Sequence, residues 1–379
     1  MDFNLSQEHQ MLRELYRSFA TNEVMPLAEA VDEEERFPQE TVEKMKKLGF
    51  FGVPFPKAYG GEGGDNLAYA MLVEELSKAC ATTGVIISAH TSLCAAPIYE
   101  FGTEDQKQKF LVPLAKGEKL GAFGLTEPNA GTDASAQQTV AVLDGDDYIL
   151  NGSKVFITNA GYADLYIIIA MTDSSKGTRG MSAFIVEAER EGFSIGKKEK
   201  KMGIRGSSTC ELVFENVRVP KENMLGKEGN GFKIAMKTLD GGRVGIGSQA
   251  LGIAAGALEA TVKYVKERKQ FGRAISKFQN TQFQLADMHT KVEASRFLVY
   301  SAAVAKDKKE SFADKAAMAK LYASETAMEV TTKAVQLHGG YGYTREYAVE
   351  RMMRDAKITE IYEGTSEVQK MVIASTILK

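Results

Sequence analysis

The spacing of apolar residues changes twice along this chain, and those two changes limit its fold more than any single residue does. From about residue 121 to residue 230 apolar positions alternate with polar ones, in β-branched or aromatic runs at 139–143, 148–150, 154–158, 165–171, 181–186 and 210–214. Turn pairs such as Asp144-Gly145 and Asn151-Gly152 separate the runs, which predicts an all-β unit, a sandwich or small barrel. On either side the spacing is helical. Ahead of it, Met11, Leu12, Leu15 and Phe19, then Val42, Met45 and Leu48, predict two helices with breaks at Pro26 and Pro38. Residues 67–81 and 85–101 follow as core helices of low charge, and 110–115 closes the first part. Behind the β unit, 232–268, 281–306, 313–339 and a last pair around Arg351 and Val368 predict a helical bundle. The fold class is therefore mainly α with a central β domain (α+β). Its expected parts are an N-terminal helical domain at 1–120, a middle β-barrel or sandwich at 121–230, and a C-terminal four-helix bundle at 231–379. A chain of 379 residues is long enough for that many cores.

Charge and residue usage exclude several functions. A formal net charge of −3 gives no electrostatic footprint for nucleic acid or an anionic membrane. Cys80, Cys94 and Cys210 are odd in number and far apart, so they read as buried thiols in a reducing compartment. His9, His90, His289 and His338 never fall at ligand spacing, and no metal site is expected. There is no basic-apolar leader and no unbroken run of about 18 apolar residues, so a cytoplasmic protein is the expectation.

Chemistry concentrates in a few stretches. Between Ile358 and Glu367 the apolar alternation ends at Tyr362, Glu363 and Gly364 break it, and Thr365 or Ser366 can cap a terminal helix. Glu363 then sits at a bend between Tyr362 and the apolar positions Val368, Met371 and Val372. Poor hydration there raises a carboxyl pKa and makes a better base. Taken alone, the stretch favours the plainer reading, an ordinary surface acid near a helix N-terminus, and only the rest of the chain overturns it. The stretch from Phe123 to Asp133 has small residues, two hydroxyls and free backbone N–H groups, which suit an acceptor-rich ligand or simply a well-capped loop. Phe156 beside Thr158 at a strand end is by type a core residue. Lys266 to Gly272 ends a helix, where cations complement the dipole unless a phosphate is present. Asp240-Gly241-Gly242-Arg243 is odd within a helix, since each glycine costs about 1 kcal/mol relative to alanine. Close approach of backbone or ligand is suspected there. Gln336 to Gly342 reads as a glycine C-cap, and the glycines of residues 59–65 as a plain loop.

Five of these motifs, in this order and at these distances, resemble the acyl-CoA dehydrogenase family of flavoproteins over essentially the whole chain. They are Leu125-Thr126-Glu127-Pro128-x-Ala130-Gly131-Thr132-Asp133, Phe156-Ile157-Thr158-Asn159, Arg268-Lys269-Gln270-Phe271-Gly272, Gln336-x-His338-Gly339-Gly340-x-Gly342 and Ile361-Tyr362-Glu363-Gly364-Thr365. The likeness is greatest to the short-chain, butyryl-CoA branch, including members from anaerobic bacteria. The resemblance implies FAD held between the β domain and the bundle, and Glu363 as catalytic base. It implies that Phe123, Leu125, Thr126, Gly131 and Thr132 line the flavin and its pyrophosphate. Phe156, Ile157 and Thr158 would meet the isoalloxazine, where many relatives carry tryptophan in place of Phe156. Arg268, Phe271, Gln279, Gln336, Gly339 and Gly340 match contacts to FAD from a neighbouring subunit, implying a homotetramer. Thr365 and Glu367 match contacts on the adenosine side. Thr132, Asp240, Arg243, Tyr362 and Gly364 match positions near the acyl-CoA substrate, with Asp240 and Arg243 on the coenzyme A moiety.

The implied reaction is α,β-dehydrogenation of butyryl-CoA to crotonyl-CoA, possible in either direction, with electrons exchanged with electron-transferring flavoprotein. An aliphatic C–H beside a thioester is a poor acid, so a placed carboxylate and donors on the developing enolate oxygen are what the chemistry needs. Some relatives carry the base at the position of Gly242, which has no carboxylate here, and that points away from an isovaleryl-like substrate. Another short, branched or medium acyl-CoA is the alternative substrate. An acyl-CoA oxidase would be longer, a DNA-binding relative would carry a basic tail or an altered base, and a non-catalytic acyl-CoA-binding relative would have no need of Glu363, Arg268 and Thr158 together.

Overall fold

The structure, a computed structural model, describes residues 4–378. Its first third is helical: α1 (Gln7–Phe19), α2 (Ala28–Glu33), α3 (Gln39–Lys47), α4 (Asn66–Ala79), α5 (Ala81–Ser88), α6 (Ala96–Phe101), α7 (Glu104–Gln106) and α8 (Val112–Ala115). Where two helices were expected before residue 50, there are three. Pro26 lies in a 3-10 turn that continues the path from α1 to α2, because a proline in a first turn forfeits no hydrogen bond. Asp65 caps α4, its Oδ1 accepting the Ala68 N–H at 2.7 Å. Every α4 residue from Leu67 to Ser77 is buried, including Glu74 and Glu75, whose carboxylates pair with Arg296 and Arg17 at 3.0 Å each. A π-helical stretch, Ala89–Ala95, joins α5 to α6. The resulting Ala81–Phe101 helix is long and apolar enough to cross a membrane, although its sequence holds no unbroken apolar run; 94% of that window is buried within the protein. It is a core helix.

Eight strands follow: β1 (Gly121–Gly124), β2 (Val140–Asp144), β3 (Asp147–Thr158), β4 (Leu165–Met171), β5 (Met181–Glu187), β6 (Phe193–Lys198), β7 (Thr209–Pro220) and β8 (Met224–Leu225). They make one mixed sheet in the order β6-β7-β3-β2-β4-β5-β8, with β1 parallel beside β4. The sheet folds over on itself. Tyr148, Leu150, Leu212 and Phe214 from one half share a core with Tyr166, Ile168, Phe184 and Val186 from the other. The opposite face of β4 (Leu165, Ile167, Ile169) packs with Cys94, Ile98, Leu114 and Ile234 of the helices, so this strand is apolar on both sides. Asp144-Gly145 is a hairpin turn as predicted, closing Asp144 onto Asp147. Asn151-Gly152 is not a turn. It lies within β3 opposite a bulge in β7, where Glu215 and Asn216 together face Asn151 and the register shifts between Leu150 and Gly152, so the runs 148–150 and 154–158 are one strand.

The last third contains α9 (Gly231–Glu267), a small ribbon of β9 (Lys269–Gln270) and β10 (Arg273–Ala274), then α10 (Gln279–Asp307), α11 (Ala313–His338), α12 (Val349–Thr359) and α13 (Ser366–Ile377). At 37 residues α9 is about 56 Å long. Its glycines let α4 lie directly against it: a Cβ on Gly252 would stand 2.3 Å from the Glu74 carbonyl oxygen, and one on Gly256 2.5 Å from that of Lys78. The three parts are tied by Asp32, whose carboxylate takes Arg205 Nη2 at 2.9 Å and Arg354 Nη2 at 2.6 Å.

Candidate active site around Glu363

Glu363 lies in the turn between α12 and α13. The Tyr362 N–H returns to the Ile358 carbonyl at 3.1 Å and the Ser366 N–H to that of Glu360 at 3.0 Å, while Thr365 Oγ1 caps α13 by accepting the Val368 N–H at 3.4 Å. The N–H groups of Glu363 and Gly364 take no part in these closures. Both residues are left-handed, Glu363 at φ +53° and Gly364 at +92°. For a glutamate that costs about 1–3 kcal/mol and has to be held by its surroundings. Two buried side chains hold it: Gln369 Nε2 donates to the Gly364 carbonyl at 2.8 Å and to that of Glu363 at 3.2 Å, and Lys320 Nζ donates to the Gly364 carbonyl at 2.6 Å.

The turn aims the carboxylate at Gly242 of α9. A Cβ at Gly242 would lie 1.9 Å from Glu363 Oε2 and 2.8 Å from Leu93 Cδ2, which explains a glycine that costs α9 stability. Gly242→Ala is therefore expected to displace the carboxylate while leaving α9 intact. We expect turnover to fall about 10-fold or more with thermal stability nearly unchanged, as measured by steady-state rates and an unfolding curve. Glu363 as a whole is half-buried, but its Oε2 is sealed from solvent and has no hydrogen-bond partner among the described residues. Burial pushes the Glu363 carboxyl up to about 8, against the opposing pull of Lys320 and then Arg243. Arg243 is buried beside Asp240, with Nη1 on Oδ1 at 2.7 Å and an unpaired Nε. Tyr69 reaches Ser88 Oγ at 3.3 Å, and a Cβ on Gly245 would meet both (2.6 and 2.4 Å), so α4 and α5 bring these hydroxyls to the same part of α9. Tyr362 donates to Gln249 Oε1.

The second group of predicted residues lies along the edge of the sheet. Phe156 is held at φ +61° beside a register shift in β3, and the residue is 62% exposed although its type favours the core. Thr158 is half-buried opposite Thr209, whereas Ile157 turns its side chain into the β core and offers a ligand only its backbone. Leu125 is buried, Phe123 and Thr126 are half-buried, and Gly131 and Thr132 are exposed. Asn159 anchors this strand end, its Nδ2 donating to the Ile86 and Gly121 carbonyls at 3.1 Å each, next to the α5 segment that meets α9.

The third group stands elsewhere. The Arg268 guanidinium lies over the Tyr341 ring at 5.3 Å, which puts it beside Gly339 and Gly340, and Phe271 packs edge-on to Phe278, next to Gln279. Gln336, Gly339 and Gly340 are exposed, and Phe271, at φ +51°, is 94% exposed. Arg268 lies 26 residues beyond Gly242, about 39 Å along the helix. One chain thus keeps the two groups far apart, the first over the N-terminal third of α9 and the other just past its C-terminal end.

Several residues that shape the site were not singled out by the sequence. Lys154 is fully buried beneath the Leu125–Thr126 loop, donating to Glu127 Oε1 at 2.6 Å, Gln137 Oε1 at 2.5 Å and the Leu125 carbonyl at 3.2 Å. Glu127 also accepts the N–H groups of Gln138 (2.6 Å) and Thr139 (3.0 Å). A signal existed, because Lys154 shares the inward parity of Tyr148 and Leu150. Lys320 likewise falls on a stripe of buried Ala316, Ala317, Ala323 and Ser324.

A sealed carboxylate facing a long bundle helix, in a chain whose folded sheet presents an exposed aromatic at its edge, is the arrangement expected of the acyl-CoA dehydrogenase class. Models of that family match almost the full length: the acyl-CoA dehydrogenase N-terminal domain at 6–118, the middle domain at 122–217 and the C-terminal domain at 229–378. The chain belongs to the acyl-CoA dehydrogenase family and is an enzyme of that family. It is 65% identical over 379 residues to the short-chain specific acyl-CoA dehydrogenase of Clostridium acetobutylicum, covering all of both chains. The structure of butyryl-CoA dehydrogenase from Megasphaera elsdenii superposes with a TM-score of 0.99 at 55% identity, again over the whole of both chains. The CarC subunit of the caffeyl-CoA reductase-Etf complex of Acetobacterium woodii is 51% identical over 375 residues, 99% of each chain.

Proposed function

We propose that this enzyme abstracts the α-proton of short acyl-CoA thioesters with Glu363, converting butyryl-CoA to crotonyl-CoA with FAD as its resident cofactor. The observation that carries the reading is the Glu363 carboxylate itself, the sealed acid held in a left-handed turn over Gly242 within the electrostatic reach of two buried cations, Lys320 and Arg243. Its burial makes a strong base of it once ionised, and Lys320 and Arg243 keep the ionised form accessible. The unused N–H of Glu363 is an available donor for the thioester oxygen as charge develops there. Asp240 and Arg243 serve the coenzyme A moiety.

The residues of the sheet edge fit a flavin. Phe156 is held exposed by a strained backbone, and a Cβ on Gly131 would touch no protein atom, so neither residue type is required by packing within the chain. Phe123, Leu125, Thr126, Thr132 and Thr158 would complete that wall, and Thr365 and Glu367 would reach the adenosine side. When bound, FAD supplies the acceptor for the β-hydride. The second group of FAD contacts, from Arg268 to Gly340, stands about 39 Å along α9 from the base, so a neighbouring copy has to contribute it. That supports a homotetramer. The relative in an Etf complex supports electron-transferring flavoprotein as the redox partner and leaves both directions of reaction open to this chain. Three free, buried cysteines accord with a cytoplasmic location. The same reading divides the chain near residues 120 and 230.

The test is a ladder of thioesters, from butyryl-CoA through octanoyl-CoA plus isovaleryl-CoA, at several pH values. The specificity constant is expected to be highest for butyryl-CoA. Because Glu363 must be ionised and its pKa is raised, the rate should fall as pH drops through about 8. A preference for a longer or branched thioester contradicts the substrate reading, and a flat profile between pH 6 and 9 contradicts the base.

A further inference from the structure

We propose that Lys320, on α11, is a positioning residue for the base: its buried ammonium fixes the left-handed turn through the Gly364 carbonyl and presents Glu363 with a fixed cation. This rests on the reading of Glu363 as the base. Lys320 is wholly buried and, among the described residues, has no carboxylate within salt-bridge distance. An ammonium in that setting is costly, and an apolar side chain of the same length would ordinarily be no less stable there. Its one hydrogen bond, 2.6 Å to the Gly364 carbonyl, goes to the residue directly after the base. The lysine therefore stabilises little that a methionine would not, apart from the geometry and charge of that turn.

Gln369 provides the comparison. It donates to the carbonyls of both Glu363 and Gly364 from α13, so it holds the same turn without charge. The groups that bear on Glu363 are Lys320 from α11, Arg243 from α9, Tyr69 from α4 and Tyr362 in the turn itself. Those that bear on Lys320 are Glu363, Arg243, Glu360 and Glu367. Burial draws the Lys320 ammonium down to about 8 and Glu363 draws it back up. Removing the cation removes the largest influence that keeps the Glu363 pKa from rising further.

The experiment compares Lys320→Met, Lys320→Gln, Gln369→Leu and Glu363→Gln in the FAD-loaded enzyme, reading FAD content, unfolding midpoint, kcat, KM for butyryl-CoA, and the rising limb of the pH profile. Lys320→Met should keep its FAD and midpoint, lose about tenfold or more in kcat with KM changed by less than about threefold, and move the limb up by about one pH unit. Lys320→Gln, which can still donate to Gly364, should recover part of kcat with the limb still displaced. Gln369→Leu should lower kcat and leave the limb where it is. Wild-type kcat and limb in both Lys320 variants, with Glu363→Gln inactive, would overturn the role of Lys320 and leave the base intact. The same holds if the Lys320 variants lose activity only in proportion to lost FAD or lost fold. An active Glu363→Gln would overturn the base instead.

Discussion

Glu363→Gln is expected to keep FAD and bind acyl-CoA while its reductive half-reaction slows by about 10²–10⁴-fold. The amide matches the carboxylate in shape, so the left-handed turn, its hold by Lys320 and Gln369 and the fit over Gly242 are preserved. Only the ability to take a proton is lost. The variant should not be less stable than wild type above neutral pH. Because the folded pKa of Glu363 is raised from 4.5 to about 8, the protonated form is the one the fold favours; that contribution is complete below about 4.5 and is lost as pH rises through about 8. A neutral glutamine escapes that loss. Unfolding curves at pH 6 and 9 check the sign: the variant should gain on wild type as pH rises.

The second large effect concerns stability and cofactor retention. Lys154→Met is expected to cost about 3–5 kcal/mol, because it leaves the Glu127 carboxylate buried with only two backbone N–H partners in place of its cation. The same ammonium holds the Leu125 carbonyl and Gln137, so the loop carrying Thr126, Gly131 and Thr132 should loosen and FAD affinity should fall. The double variant Lys154→Met/Glu127→Leu removes both charges and should recover much of the stability without recovering the loop. Denaturation curves and FAD retention on gel filtration separate the two effects. Equal stability for Lys154→Met and wild type would mean the pair does not act as described.

Element type was legible wherever one periodicity ran long. Residues 165–171 read as a strand and are one, since a β-branched run covered on both faces has no helical alternative of that length. The long bundle helices were legible for the same reason in reverse. Local exceptions were not. Asn151-Gly152 has the composition of a turn but stays in the strand opposite a bulge in β7, because a Cβ on Gly152 would stand 2.7 Å from Thr139 Oγ1 and Asn151 bonds across to Asn216. β6 is not legible in the sequence because, as a strand with five exposed positions, it carries lysines and little apolar pattern. At the site, the bend at Glu363 and the oddity of Gly241-Gly242 were both visible, but that each explains the other was not. The contact joins residues 121 positions apart, and no local pattern encodes it. Lys320 and Lys154 show in the sequence only as lysines on inward-facing positions, since their meaning depends on which carbonyls they meet.

The most direct measurement is an anaerobic titration of the purified, flavin-loaded protein with butyryl-CoA, wild type beside Glu363→Gln, following the flavin absorption band. Bleaching in wild type and its near-absence in Glu363→Gln, at equal FAD content and with acyl-CoA still bound, is the result predicted here. Bleaching at equal rates in both proteins, or a wild-type protein that binds no flavin, would contradict it.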